Sequence, residues 1–300
     1  MTKRGLLITN SFLISDKFNE LYVYLTQAAK KLGIFLDHIS NSDLLSIYSG
    51  SEASYEKKMI TRKTAIPLKE YDFVLFWDKD IRLARSLEKM GLRVYNSSDA
   101  IEICDDKSLT CERLSGKIKM PLTIMAPMTY SNTGYTDYKF LDLVETELKY
   151  PLIIKECFGS FGYQVYLAGS REDAVKIISS IKYPFLFQEY IDNSKGRDIR
   201  LQVVGDRVIA SMLRTNPDDF RANITNGGSM SEYNPSAEEC EMALRACKLL
   251  GMDFAGVDIL FGRDTPILCE INSNAHFKNI YSCTGVNVAE SILEYIIKDI

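Results

Sequence analysis

The stretch that decides the fold runs from residue 256 to residue 272. It reads Gly256-Val257-Asp258-Ile259-Leu260-Phe261, then Gly-Arg-Asp-Thr-Pro at 262–266, then Ile267-Leu268-Cys269-Glu270-Ile271-Asn272. Both arms alternate in residue type and the link has the composition of a turn, which predicts a β-hairpin. If Phe261 pairs with Ile267 without a bulge, Asp258 lies opposite Glu270, and Asn272 lies two residues farther along the same face.

Two carboxylates that face each other across a strand pair repel, so this pairing calls for a positive partner. A divalent metal would supply one. Carboxylate and amide oxygens without Cys or His suit a hard ion, and Mg²⁺ takes one or two carboxylates together with the phosphates of a nucleotide. On the hairpin alone a second interpretation stays open, namely the polar outer face of an edge hairpin.

Composition describes an ordinary globular chain. Its 300 residues are 46% hydrophobic and 25% charged, which predicts two or three domains. A net charge of -4 gives no basic field for nucleic acid or an anionic membrane surface. Residues 1–5 lead into a predicted strand with no apolar run for a signal peptide or a membrane span, so we expect a cytoplasmic protein. The 7 cysteines lack Cys-x-x-Cys spacing and are interpreted as buried thiols rather than a metal or redox site.

The order of predicted elements divides the chain into three parts. Strands and helices alternate over residues 1–97, which predicts a small parallel α/β domain. Residues 98–187 form a predicted α+β lobe that opens with one helix over 98–116, and residues 188–300 form a second lobe that ends with the hairpin. Within the first part we expect a short helix near 44–48 and an exposed loop over 49–63. Asp78, Lys79 and Asp80 follow the third predicted strand, where they mark either a substrate edge or a helix cap.

Three further segments carry nucleotide-binding chemistry. Lys155 ends a strand before Gly159-Ser160-Phe161-Gly162, a turn that could close over phosphates or be a simple hairpin turn. It is not a P-loop. Gln188-Glu189-Tyr190-Ile191 breaks from a strand into a polar linker, which leaves backbone groups for an adenine edge. Arg221 lies among polar turn residues and could neutralise a γ-phosphate, whereas Lys107 by itself is typical of a solvated helix face.

The order of these segments resembles the ATP-grasp superfamily, and specifically the RimK-type (alpha-L-glutamate ligase-like) ligases. The likeness rests on Gln-Glu-Tyr-Ile at 188–191, Asp-Ile-Arg at 198–200, Val-Val-Gly-Asp at 203–206, Asp-Phe-Arg-x-Asn at 219–223 and Ala-Gly-Val-Asp-Ile-Leu at 255–260. It covers nearly the whole chain. The resemblance implies an ATP-grasp fold: an N-terminal α/β (pre-ATP-grasp) domain and two lobes that hold ATP between them.

The resemblance also implies roles for individual residues. Lys107 and Lys155 would contact nucleotide phosphates, which Ser160, Phe161 and Gly162 would cover. Glu189 and Tyr190 would meet adenine through the backbone, and Asp198 would reach the ribose. The flanking Gln188 and Ile191 would belong to the same nucleotide-binding segment. Arg221 would face the transferred phosphoryl group, while Asp258, Glu270 and Asn272 would hold Mg²⁺, with two ions expected and Mn²⁺ as a substitute. We add Arg200 or Arg214 as a fork for a substrate carboxylate, with a plain salt bridge as the alternative.

The implied activity is an ATP-dependent carboxylate–amine ligase that forms an amide through an acylphosphate and acts on an amino acid, peptide or protein. Two departures limit the resemblance. The family usually has another glycine near Gln164, and it has Ser/Ala-Ser-Pro-Gly where this chain has Ser273-Asn274-Ala275-His276. Asn274 and His276 are therefore candidate substrate contacts, with a structural histidine as the alternative. Alternatives to the amino acid ligase are a ligase for another carboxylate and a nucleotide-binding regulator without turnover, and ligases of this type are often homo-oligomers.

Overall fold

The N-terminal part is a parallel sheet flanked by helices. The computed structural model of the protein describes residues 2–48, 59–61, 68–159, 162–224 and 227–300. The elements of this part are β1 (Arg4–Thr9), α1 (Asp16–Lys31), β2 (Phe35–Ser40), β3 (Leu44–Ser46), β4 (Met59–Thr61), β5 (Phe73–Trp77), α2 (Ile81–Lys89) and β6 (Val94–Tyr95). Strand order is β2-β1-β5-β6 and every neighbouring pair is parallel, as the alternation of strands and helices predicts.

Two local expectations in the first half of the chain are wrong. The short helix near 44–48 is a strand, β3, which pairs antiparallel with β4. Its partner strand lies farther along the chain, so the local pattern could not show it. The loop over 49–63 lies outside the described residues except for β4.

The single helix expected over 98–116 is also wrong, because it is two helices. α3 (Ser98–Asp105) and α4 (Lys107–Leu114) are separated by Asp106, whose backbone is extended (φ -96°, ψ 108°). The Asp106 carboxylate accepts a hydrogen bond from the Ser108 N–H at 2.8 Å and so caps α4. The break places Lys107 in the first turn of a helix.

The central part is an antiparallel sheet with its own core. Its elements are β7 (Thr123–Met125), α5 (Phe140–Glu147), β8 (Leu152–Glu156), β9 (Val165–Ala168), α6 (Arg171–Ser180) and β10 (Phe185–Glu189), with strand order β7-β10-β8-β9. Leu152, Ile154 and Phe187 pack against α5 and α6.

The C-terminal part is a larger antiparallel sheet that contains the opening hairpin. Its elements are β11 (Arg197–Val204), β12 (Arg207–Thr215), β13 (Ser229–Glu232), α7 (Ala237–Leu250), β14 (Phe254–Phe261), β15 (Pro266–Asn272), α8 (Lys278–Thr284) and α9 (Val288–Asp299). Strand order is β13-β12-β11-β14-β15. Gly251 ends α7 in the left-handed conformation (φ 70°), as its position after the apolar stripe predicts.

A shared core joins the N-terminal sheet to the C-terminal part. Trp77 at the end of β5 stacks on Phe254 with 5.8 Å between ring centroids and meets Phe277 edge-on at 5.6 Å. α1 packs against α9. Each large side chain buried here contributes about 1.5–3 kcal/mol, so the carboxyl ends of the parallel strands are fixed beside the hairpin.

The expected combination of α/β and α+β architecture is confirmed. The exact boundaries at 97 and 187 stay predictions. Among the described residues, no helix has both the length and the apolar character needed to cross a membrane.

Candidate functional site

The hairpin β14–β15 places Asp258 opposite Glu270, but by a different register from the one expected. Phe261 pairs with Pro266, not with Ile267, so the assumed pairing is wrong. A bulge between the Asp258 and Ile259 positions adds one residue on β15, at Cys269, and brings the two carboxylates back into register. Asn272 lies opposite Gly256 at the end of the hairpin.

Arginines, placed by sheet register, supply positive charge around Asp258. Arg200 on β11 lies opposite Asp258, and Arg214 on β12 lies opposite Asp198. Arg200 donates through Nε and Nη2 to the two Asp258 oxygens, with 2.8 Å from Nη2 to Oδ2. Arg214 donates to Asp198 at 2.6 and 2.7 Å and its Nη2 lies 2.9 Å from Asp258 Oδ2. The salt-bridge alternative for both arginines is therefore what the structure contains.

Burial and charge act in opposite directions on these carboxylates. Burial opposes ionisation of Asp258, which is 4% exposed, but the Arg200 and Arg214 guanidinium groups outweigh it and hold its pKa below the ordinary value. Burial raises the pKa of Asp198 despite Arg214, and the nearby Asp258 charge adds to the rise. The two arginines therefore favour the ionised form of Asp258, whose oxygens can face a cation.

One cavity lies between the central and C-terminal sheets; we call it the lobe cavity. Lys155 on β8 is 8% exposed and its Nζ lies 3.9 Å from the Cys269 sulfur, at the bulge of the hairpin. The predicted site residues that line the lobe cavity are Lys155, Gly162, Gln188, Glu189, Tyr190, Ile191, Asp198, Arg214, Arg221, Asp258 and Glu270.

Some polar groups of the strand end at 188–191 already form hydrogen bonds within the protein. The Gln188 side-chain amide donates to Thr123 Oγ1 at 2.9 Å, and the Glu189 N–H donates to the Leu122 carbonyl at 2.8 Å. Gln188 thus fixes the strand, and the backbone around Tyr190 and Ile191 remains the candidate edge for a base.

The two ends of the loop at 159–162 each contact a basic side chain. Arg221 donates from Nη1 to the Gly162 carbonyl at 2.7 Å and pairs with Asp219. Lys107 reaches the Gly159 carbonyl at 3.4 Å and lies 4.0 Å from Glu270. Lys107 is therefore not a solvated surface lysine. Ser160 and Phe161 lie outside the described residues.

A second cavity lies between the N-terminal sheet and the hairpin; we call it the interface cavity. The predicted residues that line it are Lys107, Gly162, Arg200, Arg214, Asp258, Glu270, Asn272, Asn274 and His276. Apart from Asp78 and Asp80, every predicted site residue that the structure describes therefore lines one of the two cavities. Gly162, Arg214, Asp258 and Glu270 line both, so they form the shared wall.

At the N-terminal side of the interface cavity, the segment 78–80 supplies the expected helix cap and one residue that lines the cavity. Asp80 caps α2 by accepting from the Leu83 N–H at 3.1 Å. Asp78 is buried, which raises its pKa, and accepts hydrogen bonds from Asn10. Lys79 lines the cavity and pairs with Asp105. Only Lys79 thus reaches the candidate site.

The segment after the hairpin also borders the interface cavity. Asn274 donates from Nδ2 to the Asp78 carbonyl at 2.8 Å. His276 meets the ring of Phe18 edge-on, with 4.9 Å between centroids. Within the described part of the chain, three neighbouring buried atoms have no hydrogen-bond partner, Asn272 Nδ2, Ser273 Oγ and Asn274 Oδ1. Such atoms are satisfied by water or by a ligand.

The 7 cysteines are free thiols, but only Cys104, Cys157 and Cys247 are buried. The other four are half-buried, so the expectation of buried thiols is confirmed only in part. Burial raises the pKa of Cys104 to about 12 and that of Cys269 to about 11, so both are protonated at neutral pH. Among the described residues no three His, Cys, Asp or Glu side chains form a metal-binding group. Asp258, Glu270 and Asn272 are two carboxylates and an amide, so the candidate set differs in kind from such a group.

Two residues at this site were not anticipated. Asp219 supports Arg221, and Asn96 holds the base of the hairpin. Asp219 lies in the quoted Asp-Phe-Arg-x-Asn motif, and that signal could have identified it. No motif or pattern in the neighbouring sequence predicts the role of Asn96.

The comparison with known protein families gives a match to the RimK-like ATP-grasp domain over residues 105–296. The chain belongs to this family. The chain is 37% identical over 222 residues to the probable alpha-L-glutamate ligase of Maridesulfovibrio salexigens, covering 72% of this chain and 71% of that one. It is 36% identical over 225 residues to beta-citrylglutamate synthase B of Danio rerio, covering 73% of this chain and 54% of that one.

Solved structures show the same fold. The ATP-grasp ligase PsnB, in complex with its minimal precursor, Mg and ADP, superposes with a TM-score of 0.67 at 16% identity, over 98% of this chain and 97% of that one. The expected ATP-grasp fold is thus confirmed. The expected enzyme class is confirmed through the family: this RimK-like protein is an ATP-dependent carboxylate–amine ligase.

Proposed function

We propose that this RimK-like protein uses Mg²⁺ and ATP to join glutamate or another amino acid to an amino acid, peptide or protein through an acylphosphate. One observation carries the proposal: the predicted nucleotide residues and the predicted substrate residues line two cavities that share the wall of Asp258 and Glu270. A phosphoryl group passed from one cavity to the other would cross that wall.

The proposed reaction has two steps. A carboxylate oxygen attacks the γ-phosphorus of ATP, which gives an acylphosphate and ADP. The amine nitrogen then attacks the acyl carbon, inorganic phosphate leaves, and the nitrogen loses a proton to give the amide. Arg221, half-buried and held by Asp219 and the Gly162 carbonyl, is placed to spread charge on the transferred group.

Nucleotide binding is assigned to the lobe cavity. Lys155 and Lys107 approach the shared wall from the central sheet and from α4, which suits two cations that hold phosphates. The backbone at Tyr190 and Ile191 would meet adenine, and Asp198 lines the same cavity for the ribose. The loop at Gly162 would cover the phosphates.

Two residues of the shared wall and the neighbouring Asn272 fit Mg²⁺. Asp258, Glu270 and Asn272 offer oxygen donors only, the set that a hard cation prefers. The Asp258 carboxylate has about four acceptor sites. Arg200 uses one on each oxygen and Arg214 a second on Oδ2, so a lone pair on Oδ1 stays open for a metal. A bound Mg²⁺ would offset the charge of the phosphates. Two ions, and substitution by Mn²⁺, are part of this proposal.

Substrate binding is assigned to the interface cavity. Arg200 uses Nε and Nη2 on Asp258, and the third guanidinium nitrogen can serve a substrate carboxylate. Arg214 is arranged similarly, and Asn274 and His276 face the same space. The relative named as a glutamate ligase supports an amino acid substrate, and PsnB with its precursor supports a peptide acceptor. The relative named beta-citrylglutamate synthase supports the second candidate, a ligase for a carboxylate that is not an amino acid.

The test is ADP release with Mg²⁺-ATP across pairs of acids and amines, with product masses measured alongside. ADP release that needs both partners, with a product mass equal to both partners minus water, would support the proposal and identify them. Glu270→Gln should lower turnover by about a hundredfold or more. Asp264→Asn, an exposed carboxylate at the tip of the same hairpin, should leave it unchanged. Binding of ATP without ADP release for any partner would instead indicate a regulator.

A further inference from the structure

Asn96 follows the last strand of the N-terminal sheet and is completely buried, with 0% exposure. Its Nδ2 donates to the Phe254 carbonyl at 3.0 Å and to the Ser273 carbonyl at 3.1 Å. Its Oδ1 accepts from the Asp253 N–H at 2.8 Å and from the Phe254 N–H at 3.1 Å. All four hydrogen bonds go to the backbone of the C-terminal part.

These partners lie together at the open end of one hairpin, where its first strand begins and its second strand ends. Phe254 opens β14, the strand of Asp258, and Ser273 directly follows Asn272, which closes β15. A single amide therefore fixes the start of one metal-bearing strand to the end of the other. A primary amide has two donor hydrogens and an oxygen with two lone pairs, so the Nδ2 and Oδ1 atoms of Asn96 make all the hydrogen bonds they can.

The N-terminal sheet holds the segment after Asn272 from a second side. Asn274 donates to the Asp78 carbonyl at 2.8 Å. Between these two anchors, Asn272 Nδ2, Ser273 Oγ and Asn274 Oδ1 are buried beside the interface cavity without a partner among the described residues. The backbone is thus fixed while side-chain atoms keep hydrogen-bonding capacity, the arrangement expected of a preorganised binding segment.

We propose that Asn96 is a positioning residue that sets Asn272 for the metal and residues 273–276 for the substrate. This inference rests on the proposed metal set of Asp258, Glu270 and Asn272. Groups that orient a metal ligand typically change metal affinity by 10–100-fold when removed. Asn96 also makes the site depend on the N-terminal sheet, because its backbone belongs to that part.

The test is Mn²⁺ affinity in the presence of the β,γ-imido analogue of ATP, measured by calorimetry. Asn96→Ala should raise the Mn²⁺ Kd by about tenfold, whereas Kd for the analogue measured in EDTA stays unchanged. Asn96→Ser, which keeps a hydroxyl, should give an intermediate value and carries the test if Asn96→Ala does not fold. The matched control is Tyr295→Phe, which removes a 2.9 Å bond to Asp253 at the same junction but none to Ser273.

Two outcomes would overturn the inference. One is a Mn²⁺ Kd in folded Asn96 variants within twofold of the wild-type value. The other is an equal rise of the Mn²⁺ Kd in Tyr295→Phe, which would mean that any weakening of this junction lowers Mn²⁺ affinity. The variant Asp258→Asn distinguishes a failure of the positioning role of Asn96 from a failure of the proposed metal site. If Asp258→Asn leaves Mn²⁺ binding intact, the ligand set itself is wrong; if it abolishes binding while the Asn96 variants do not, only the positioning role falls.

Discussion

Replacement of Arg200 by Gln should tighten metal binding in the absence of nucleotide. Arg200 and Arg214 both donate to the Asp258 oxygens, and Lys107 lies 4.0 Å from Glu270. Without phosphates the candidate metal ligands are thus already surrounded by cations. A dication entering this site meets repulsion that phosphates would otherwise offset.

The size of the effect follows from Coulomb's law. A guanidinium about 5 Å from a dication is repelled by about 7 kcal/mol at an effective dielectric constant of 20. The side chain can move and salt screens part of the cost, so we expect at least tenfold tighter binding, or about 1.4 kcal/mol. Asp258 would also lose a buried partner, and although Arg214 remains, unfolding free energy should fall by about 3 kcal/mol.

The assay is a Mn²⁺ titration without nucleotide, followed by electron paramagnetic resonance of the free ion. Arg200→Gln should bind Mn²⁺ at least tenfold more tightly than the wild type, and Arg200→Lys, which keeps the charge, should not. Arg207→Gln, an exposed arginine on the neighbouring strand, is the control and should match the wild type. Unchanged or weaker Mn²⁺ binding in Arg200→Gln would refute the idea that the arginine competes with the metal.

Three other predictions concern stability and nucleotide binding. Burial raises the pKa of Asp253 to about 6, so the free energy of unfolding should fall as pH rises from about 4 to about 6 and this carboxyl ionises in the folded protein. In denaturant titrations, Asp253→Asn should reduce this fall and raise the free energy of unfolding by about 1–2 kcal/mol at pH 8. An unchanged pH profile would contradict this assignment. Gly162→Ala should weaken ATP binding severalfold in calorimetry, because φ is 74° there and a Cβ would come 2.8 Å from Asn223 Oδ1; wild-type affinity would show that the loop adapts. Lys107→Met should raise KM for ATP about tenfold, whereas exposed Lys117→Met should not. Equal effects of the two substitutions would show that Lys107 does not contact the phosphates.

The pairing of Asp258 with Glu270 was predictable, but the path to it was not. Alternation in the two arms gives the hairpin and the facing carboxylates. The bulge at Cys269 has no mark in the local pattern, and it compensates for a turn that pairs Phe261 with Pro266. The correct pair therefore emerged from an incorrect register.

Contacts between distant strands account for most of what the sequence could not show. Arg200 and Arg214 were identified, but their bonds to Asp258 and Asp198 depend on the register of three strands. The same holds for β3, whose partner is not adjacent in the chain. The break between α3 and α4 arises because the Asp106 side chain caps α4 instead of continuing α3, and sequence pattern alone does not show which of the two wins.

Asn96 is the extreme case. Its sequence context is a strand end followed by Ser and Asp residues, which is typical of a loop or helix start. Its four backbone partners lie in the last third of the chain. A buried amide with only nonlocal partners leaves no periodic or compositional signal.

The measurement that tests the central claim most directly is oxygen transfer from the substrate carboxylate. The carboxylate partner found in the ADP assay is labelled with ¹⁸O in both oxygens, and the phosphate released with Mg²⁺-ATP and the amine is analysed by mass. An acylphosphate route predicts one ¹⁸O atom in each phosphate released. Phosphate without ¹⁸O, alongside full amide formation, would contradict the account.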